Sequence, residues 1–388
     1  MPLKFQYFRR LVLLGALACS LPSIAAAEVK GFPVRLLQIA DSGFDRYSST
    51  SDPIEQKWIR DSFERMIVWS SYFDEKLSWY PNGAEYEGLF AIYVEETDLI
   101  AAHPDWVLRD GAGNMLYIDY ECDNGTCTQY AADFGNQGFR DYWVNNLRKR
   151  TKIGYPALFL DDVNMVFRTS DGTQPVIPID PRTNQPMTLR AWRKYMIGML
   201  SDIREAGQDI HIIHNAIWFA DHEGDRDQIR QQILLADEIT LEQGFNDANL
   251  TGDDGPYSLE AVMRYIDWIH QLGRTVSIEG VPDDNTAREY ALALYYISRV
   301  DGDMLTDQFI TPDSGMWVGY ELDPGQPVTG RYRFNSLYRR DFRDGIALAN
   351  PPEGANITVD FPDYVDMHGN PGPFLLRERT GILLLKNK

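Results

Sequence analysis

The sequence predicts a (β/α)8 TIM barrel, a fold of the α/β class, followed by a small antiparallel β domain. Short runs rich in Val, Ile, Leu and Phe recur along the chain, and each is followed by a polar loop and then by a segment of helical periodicity. This alternation is typical of parallel strands joined by crossover helices. Eight such units occupy about 280 residues, which is close to the usual size of the barrel.

The eight predicted strands share an apolar centre bounded by polar residues. They cover residues 34–40, 66–70, 89–94, 157–160, 210–215, 238–242, 275–279 and 303–306. The predicted helices between them cover residues 53–64, 138–152, 189–206, 225–235, 259–272 and 286–299. We therefore expect a barrel domain over residues 28–314.

Two regions depart from the repeating pattern. A loop of about 40 residues separates the third predicted strand from the next helix, and long loops in a compact domain are usually functional. Residues 315–388 are rich in Pro and Gly and contain short alternating runs at 345–349, 357–361 and 381–385. These runs predict the small antiparallel β domain.

The amino terminus has the pattern of an export signal. Arg9 and Arg10 precede the apolar run 11–17, and three alanines at 25–27 supply the small residues of a cleavage site. We expect residues 1–27 to be a signal peptide and the protein to be exported to the periplasm or the cell exterior. A less favoured alternative is a lipid anchor at Cys19, since residues 16–19 resemble a lipoprotein cleavage box.

No later stretch has the roughly 20 apolar residues that a membrane helix requires, so we expect no membrane span. Hydrophobic residues make up 44% of the 388-residue chain, enough for a large core. The net charge of -20 would repel a phosphate backbone, which argues against a nucleic-acid partner. A strongly anionic polysaccharide is also disfavoured unless arginines gather at the site.

Cys122 and Cys127 remain once the signal is removed, and only four residues separate them. In an oxidising compartment this spacing favours a disulfide that closes a turn. Free thiols are the alternative. A zinc site is disfavoured because no second cysteine pair or neighbouring histidine completes a set of four ligands.

Acidic residues stand at the carboxyl ends of several predicted strands, where barrel enzymes carry their active sites. Asp161 and Asp162 follow the fourth strand, Glu242 ends the sixth and Glu279 ends the seventh. A lone acid of this kind is more often a helix cap or an ion-pair partner, but glycoside hydrolysis needs two opposed carboxyl groups. Since strand side chains alternate, only one of Asp161 and Asp162 can share the face of Phe159.

Aromatic and polar residues near the same strand ends complete a candidate carbohydrate site, because sugar rings stack on aromatic faces. Each of them alone is more often a packing residue, and His103 either binds substrate or caps its loop. The candidate substrate-binding residues, in addition to Asp162 and Glu279, are Trp69, Tyr93, His103, Trp106, Asp133, Asn215 and Trp218.

The sequence predicts neither a metal nor a cofactor. His211 and His214 are three residues apart, which on a strand places them on opposite faces. The first strand does not end in His-x-His. The Gly-x-Ser-x-Gly elbow of serine hydrolases is absent, and so is a glycine-rich phosphate loop after a strand.

Several short motifs occur in a recognisable order. His-Pro-Asp-Trp at 103–106 is followed by Asp-Gly-Ala-Gly-Asn at 110–114, Asp-Phe-Gly-Asn at 133–136, Phe-Arg-Asp-Tyr-Trp at 139–143 and Phe-Leu-Asp-Asp-Val at 159–163. From about residue 36 to the carboxyl-terminal β segment, the chain resembles the glycosyl hydrolase-like family 15 TIM-barrel proteins. This resemblance implies a glycosidase with Asp161 as the strand-four carboxylate and Glu242 as its partner.

We therefore expect a glycoside hydrolase that cleaves a polysaccharide or oligosaccharide with Asp161 and Glu242. The residues leave open whether Glu242 or Glu279 is the second acid. A competing hypothesis is a catalytically silent barrel that binds carbohydrate during polysaccharide assembly or export. A lyase or deacetylase is a weaker alternative, because the histidines do not cluster.

Overall fold

The structure is a computed structural model, and it describes residues 33–216, 226–280, 282 and 284–387. Eight parallel strands close into a barrel in which each strand pairs with its neighbours in sequence and the first pairs with the last. The strands are β1 (Leu36–Ile39), β2 (Arg65–Val68), β3 (Gly83–Gly88), β4 (Ala157–Asp161), β5 (His211–Asn215), β6 (Glu238–Leu241), β7 (Thr275–Gly280) and β8 (Met304–Asp307). The predicted (β/α)8 barrel is confirmed.

The barrel interior is filled by alternate residues of its strands. Ala84, Phe159 and Ile213 point inward, while Leu158 and Leu160 pack in the layer between the strands and the helices. Because both faces of these strands are buried, the strands read in the sequence as continuous apolar runs.

The third strand is the exception, and its predicted position was wrong. Residues 89–94 do not enter the barrel, whose third strand is Gly83–Gly88. This strand carries Glu85 and Glu87 on its outer face, where both pair with Arg150 of the following helix. Glu85 is only 2% exposed. A charged strand can be buried here because an arginine neutralises it, and its sequence therefore lacks the apolar run that marks the other strands.

The predicted helices all form, with ends shifted by a few residues. Asp52, Asn136, Thr188, Ser258 and Asp284 each accept a hydrogen bond from a backbone N–H in the first turn of the helix they precede. Such caps satisfy donors that the helix leaves unpaired. The α-helices are Asp45–Ser48, Pro53–Ser62, Thr97–Ala102, Gln137–Arg150, Leu189–Ala206, Arg226–Leu235, Leu259–Gln271 and Asn285–Ser298. Short 3-10 helices are Asp74–Ser78, Pro104–Trp106, Gly244–Asn246 and Val318–Glu321.

The long insertion after β3 folds into a small sheet of its own. We call it the loop sheet, and its strands in spatial order are Ala91–Tyr93, Gln129–Ala131, Tyr117–Ile118 and Thr169–Ser170. The last of these comes from the loop after β4, so the sheet joins the loops that follow two neighbouring barrel strands. A hairpin of Ile179–Asp180 and Gln185–Pro186 follows it.

The carboxyl-terminal residues form antiparallel sheets, as predicted. The larger sheet has the strand order Tyr332–Phe334, Leu337–Asp341, Gly345–Asn350, Thr380–Lys386 and Tyr364–Val365, and a smaller one pairs Ile357–Val359 with Phe374–Leu376. The larger sheet packs on the helix Asn285–Ser298. A Cβ on Gly381 would lie 2.6 Å from the Cβ of Ala293, so this close approach requires glycine. Among the helices of the described residues, none is both long enough and apolar enough to span a membrane.

Candidate active site

A cleft of about 320 Å³ opens at the carboxyl ends of the barrel strands. Six of the residues predicted from the sequence line it together: Trp69, Asp161, Asp162, Asn215, Glu242 and Glu279. They come from β4, β5 and β7 and from the loops that follow β2, β4 and β6. The barrel therefore brings together side chains as distant in sequence as Trp69 and Glu279. This is the face that carries the active sites of barrel enzymes.

Asp161 ends β4 on the same face as Phe159, so it is the member of the Asp161–Asp162 pair that points into the barrel. Its carboxylate accepts hydrogen bonds from the Tyr86 hydroxyl, from Asn215 Nδ2 at 2.8 Å and from the backbone N–H of Asp162 at 2.8 Å. Three donors on one carboxyl group fix its orientation in the cleft.

Asn215 links the two carboxylates that the sequence singled out. Its Nδ2 lies 2.8 Å from Asp161 Oδ1 and 3.2 Å from Glu242 Oε2, and an amide nitrogen has one hydrogen for each of them. Because both oxygens contact the same nitrogen, the distance between them is at most about 6 Å. The paired carboxyl groups of glycosidases are about 5 to 9.5 Å apart, so this limit is compatible with such a pair.

Asp162 leaves the strand direction because its backbone is left-handed, with φ of 59°. Its carboxylate accepts hydrogen bonds from Arg168 Nη1 at 2.8 Å and from Asn164 Nδ2 at 3.1 Å. Burial, and then the neighbouring charge of Asp161, raise the pKa of Asp162 to about 6, although Arg168 opposes this shift. The group therefore titrates within the physiological range.

Glu279 lies beside this pair at the end of β7. Its carboxylate accepts hydrogen bonds from the backbone N–H of Gln243 at 3.0 Å and from Gln308 Nε2 at 3.4 Å. Burial raises the pKa of Glu279, and the charges of Glu242 and Asp161 add to the effect. Glu279 thus keeps a proton more readily than an exposed glutamate does.

One wall of the cleft is aromatic. Trp69 stacks on Tyr86 with ring centroids 5.0 Å apart, and Tyr86 stacks on Phe159 at 5.9 Å. Tyr120 and Gln129 of the long insertion also line the cleft. Cys122 and Cys127 form a disulfide two residues beyond Tyr120, so the predicted pairing is present in the structure.

Two predicted substrate-binding residues lie away from the cleft, which corrects the expectation drawn from their loop position. The ring of Trp106 is 6% exposed and packs against Phe139 and Tyr142. His103 covers the opposite side, stacked on Trp106 with ring centroids 3.8 Å apart. Trp106 is therefore a packing residue, and neither ring lines the cleft.

Asp133 is also buried outside the cleft, with 2% of its surface exposed. Both of its carboxylate oxygens lie 2.8 Å from Arg182 Nη1, and one accepts the backbone N–H of Gly135. This ion pair joins the insertion to the hairpin that contains Arg182, and Asp133 does not line the cleft. Trp218 lies outside the described residues.

Tyr93 was expected at the end of the third barrel strand and instead lies on the loop sheet. It pairs in register with Gln129 of the neighbouring strand, and burial raises the pKa of its hydroxyl group. Since Gln129 lines the cleft, Tyr93 is one residue removed from it.

Cleft residues that were not singled out from the sequence include Asp41, Tyr86, Gln129 and Arg168. Tyr86 alternates with Ala84 and Gly88 on the inner face of β3, and this period of two was the available signal. Arg168 is the only basic side chain among the described residues that line the cleft.

His211 and His214 lie on opposite faces, as predicted. His211 Nε2 is 3.1 Å from Glu238 Oε2, whereas His214 Nδ1 is 2.9 Å from Gln232 Nε2 on the helix outside the barrel. Burial lowers the pKa of His214 to about 3, so this ring is neutral.

No family model and no curated protein matches the chain, so the resemblance to the glycosyl hydrolase-like family 15 proteins stays a prediction. Solved structures with similar folds are glycoside hydrolases. The glycoside hydrolase domain of PelA from Pseudomonas aeruginosa is 11% identical with a TM-score of 0.44, over 75% of this chain and 97% of that chain. A maltogenic α-amylase from Thermotoga neapolitana is 12% identical with a TM-score of 0.47, over 91% and 99%. An α-galactosidase from Thermus thermophilus is 13% identical with a TM-score of 0.46, over 80% and 65%. These likenesses concern the fold alone.

Proposed function

We propose that this protein hydrolyses a glycosidic bond in an oligosaccharide or polysaccharide, with Asp161 and Glu242 as the two catalytic carboxyl groups. The observation that carries the proposal is the amide of Asn215, which binds a carboxylate oxygen of each residue. This amide nitrogen contacts both carboxyl groups at the carboxyl ends of the barrel strands, where barrel enzymes carry their active sites. Two opposed carboxyl groups are what glycoside hydrolysis requires.

The separation supports a retaining mechanism. Retaining glycosidases have carboxyl groups about 5 to 5.5 Å apart, whereas inverting enzymes need about 6.5 to 9.5 Å to admit a water molecule. The distance of at most about 6 Å between the two oxygens on Asn215 lies below the range for inverting enzymes.

In this mechanism Asp161 attacks the anomeric carbon while the bond to the leaving oxygen breaks and Glu242 donates a proton to that oxygen. Glu242, now a carboxylate, takes a proton from water as the water oxygen displaces Asp161. The three donors to Asp161 suit the nucleophile, because they hold its carboxylate in one orientation.

The aromatic wall supports a carbohydrate as the substrate. Trp69 and Tyr120 line the same cleft as the two carboxyl groups, and aromatic faces pack against the C–H faces of sugar rings.

We place the protein outside the cytoplasm. Basic residues ahead of a short apolar run and a group of small residues give 1–27 the pattern of a signal peptide. The Cys122–Cys127 disulfide supports an oxidising compartment. A lipid anchor at Cys19 is the alternative to simple secretion.

A panel of bacterial polysaccharides tests the proposal. Wild-type protein should release reducing ends from at least one of them, and Asp161→Asn should reduce that rate about a thousandfold or more, as loss of a nucleophile does. Asp98→Asn, an exposed carboxyl group on the helix Thr97–Ala102, is the matched control and should keep full activity. Full hydrolytic activity of Asp161→Asn on a substrate that the wild type cleaves would refute the assignment.

The same panel separates the competing hypothesis of a silent carbohydrate-binding barrel. In that case the wild-type protein would bind a polysaccharide and release no reducing ends from it, and Asp161→Asn would change the affinity alone.

A further inference from the structure

A second cavity of about 240 Å³, which we call the side pocket, lies next to the cleft. It is enclosed by the end of β3, the first strand of the loop sheet and the helix Gln137–Arg150. The packing of a barrel strand against its helix normally leaves no such space. The insertion after β3 creates it, since Tyr93 and Leu99 of the insertion form one side.

The side pocket and the cleft share a wall. Trp69 and Tyr86 line both cavities, on the two sides of their stacked rings. A second link runs from Tyr93 in the side pocket to Gln129 in the cleft, its partner in register on the neighbouring strand of the loop sheet. Gly88, which also lines the side pocket, pairs in register with Asp161. A ligand held in the cleft at Asp161 is therefore adjacent to the side pocket.

The residues of the side pocket suit a sugar ring. Tyr93 is 45% exposed at its rim and can stack on a ring face, and Tyr142 stands opposite on the helix. Glu96, Asn146 and Arg150 bring carboxylate, amide and guanidinium groups that can bind hydroxyl groups. Its volume is below the roughly 300 to 1,000 Å³ of pockets for drug-sized ligands, which fits a single ring.

We propose that the side pocket binds the sugar unit next to the one whose bond is cleaved. This inference rests on the proposed function and narrows it: the substrate is a chain of at least two sugar units, and a single sugar on a small leaving group fills only the cleft. Tyr93 is the residue that determines this preference, because its exposed ring is the platform at the rim.

Binding to an array of defined bacterial mono- to hexasaccharides tests the inference independently of turnover. The Asp161→Asn protein serves as the parent, so that glycans are not consumed. It should bind oligosaccharides better than their constituent monosaccharides. Adding Tyr93→Ala should weaken oligosaccharide binding about tenfold and leave monosaccharide binding unchanged, because a ring that stacks on a sugar contributes about that much affinity.

Two further variants sharpen the result. Tyr93→Phe keeps the ring and removes only the hydroxyl group, so it should retain most of the oligosaccharide affinity. Tyr332→Ala removes a similarly exposed tyrosine from the carboxyl-terminal sheet and should change nothing. Melting curves of all variants verify that they fold.

Absence of binding to every oligosaccharide, or an equal loss for monosaccharides and oligosaccharides in Tyr93→Ala, would overturn the inference. Failure of the proposed function has a different signature, since it is read from the wild-type protein and Asp161→Asn as reducing ends released. The two results are therefore distinguishable.

Discussion

Tyr86 donates its phenol hydrogen to Oδ2 of Asp161, while its ring lies between Trp69 and Phe159. Burial raises the pKa of Tyr86, and the charge of Asp161 raises it further, so the hydroxyl group stays a donor at every working pH. A neutral phenol beside the proposed nucleophile orients it without adding a competing charge.

Tyr86→Phe should therefore lower kcat about 10- to 100-fold, which corresponds to one hydrogen bond to a charged group. The ring stack is kept, so the melting temperature should change little. Tyr80→Phe is the matched control, because Tyr80 donates to the backbone carbonyl of Phe63 away from the cleft and its loss should affect stability rather than kcat. Unchanged kcat in Tyr86→Phe would show that the hydrogen bond does not serve the reaction.

Glu242 and Glu279 can be separated by the leaving group. If Glu242 is the general acid, Glu242→Gln should lower kcat/KM for the natural substrate by about 10²- to 10⁴-fold and lower kcat/KM for an activated aryl glycoside far less, because kcat/KM reports the first step and that leaving group needs no proton. Glu279→Gln should lose less than about tenfold on both, since its amide oxygen can still accept the N–H of Gln243.

Glu279 is the alternative general acid, because its pKa is raised and a general acid must carry a proton at the working pH. The reverse pattern, with the leaving-group dependence appearing in Glu279→Gln, would transfer the role to it.

Asp162 should make stability depend on pH. Its pKa of about 6 in the folded protein lies above the ordinary value of about 3.9, so the folded state binds this proton more tightly than the unfolded chain does. The resulting stabilisation is complete below about pH 4 and is lost as the pH rises through about 6. Asp162→Asn removes the titration, so its free energy of unfolding relative to wild type should rise by roughly 2 kcal/mol between pH 4 and 8.

Urea unfolding of both proteins at pH 4, 6 and 8 measures this difference in the free energy of unfolding. Groups that do not interact with Asp162 titrate alike in both proteins, so their contribution cancels. A stability difference that stays constant with pH would contradict the prediction.

The disulfide in the insertion should matter more for the cleft than for the fold. Cys122 and Cys127 are five residues apart, and a ring this small restricts the unfolded chain only modestly. Tyr120, two residues before the disulfide, lines the cleft. Cys122→Ser combined with Cys127→Ser should weaken substrate affinity or turnover more than it lowers the melting temperature. Unchanged activity with a large loss of stability would show that the loop is a structural brace.

The barrel could be predicted because seven of its strands each have apolar residues at their centre. The third could not be found in this way, since Glu85 and Glu87 interrupt it and only their pairing with Arg150 permits burial. That pairing joins residues 63 and 65 positions apart in sequence, which no local pattern reveals.

The cleft acids followed from their positions at strand ends, and alternation with Phe159 correctly left one of Asp161 and Asp162 inside. The insertion was harder, because its aromatic residues carry no period that separates core from cleft. Trp106 fills the space beneath the loop sheet, whereas Tyr120 lines the cleft. Whether an aromatic residue of the insertion is buried or lines the cleft depends on the tertiary fold of the insertion, which the sequence pattern does not reveal.

The carboxyl-terminal part of the helix Asn285–Ser298 is buried on every side. All nine residues from Tyr290 to Ser298 are buried, and the strand Thr380–Lys386 lies against it, with Gly381 at the closest approach. Arg340 of the neighbouring strand donates to the carbonyl oxygens of Tyr296 and Arg299 at the end of this helix. While the chain is being synthesised, the helix therefore emerges from the ribosome some 80 residues before its cover, with an apolar surface that a chaperone would bind.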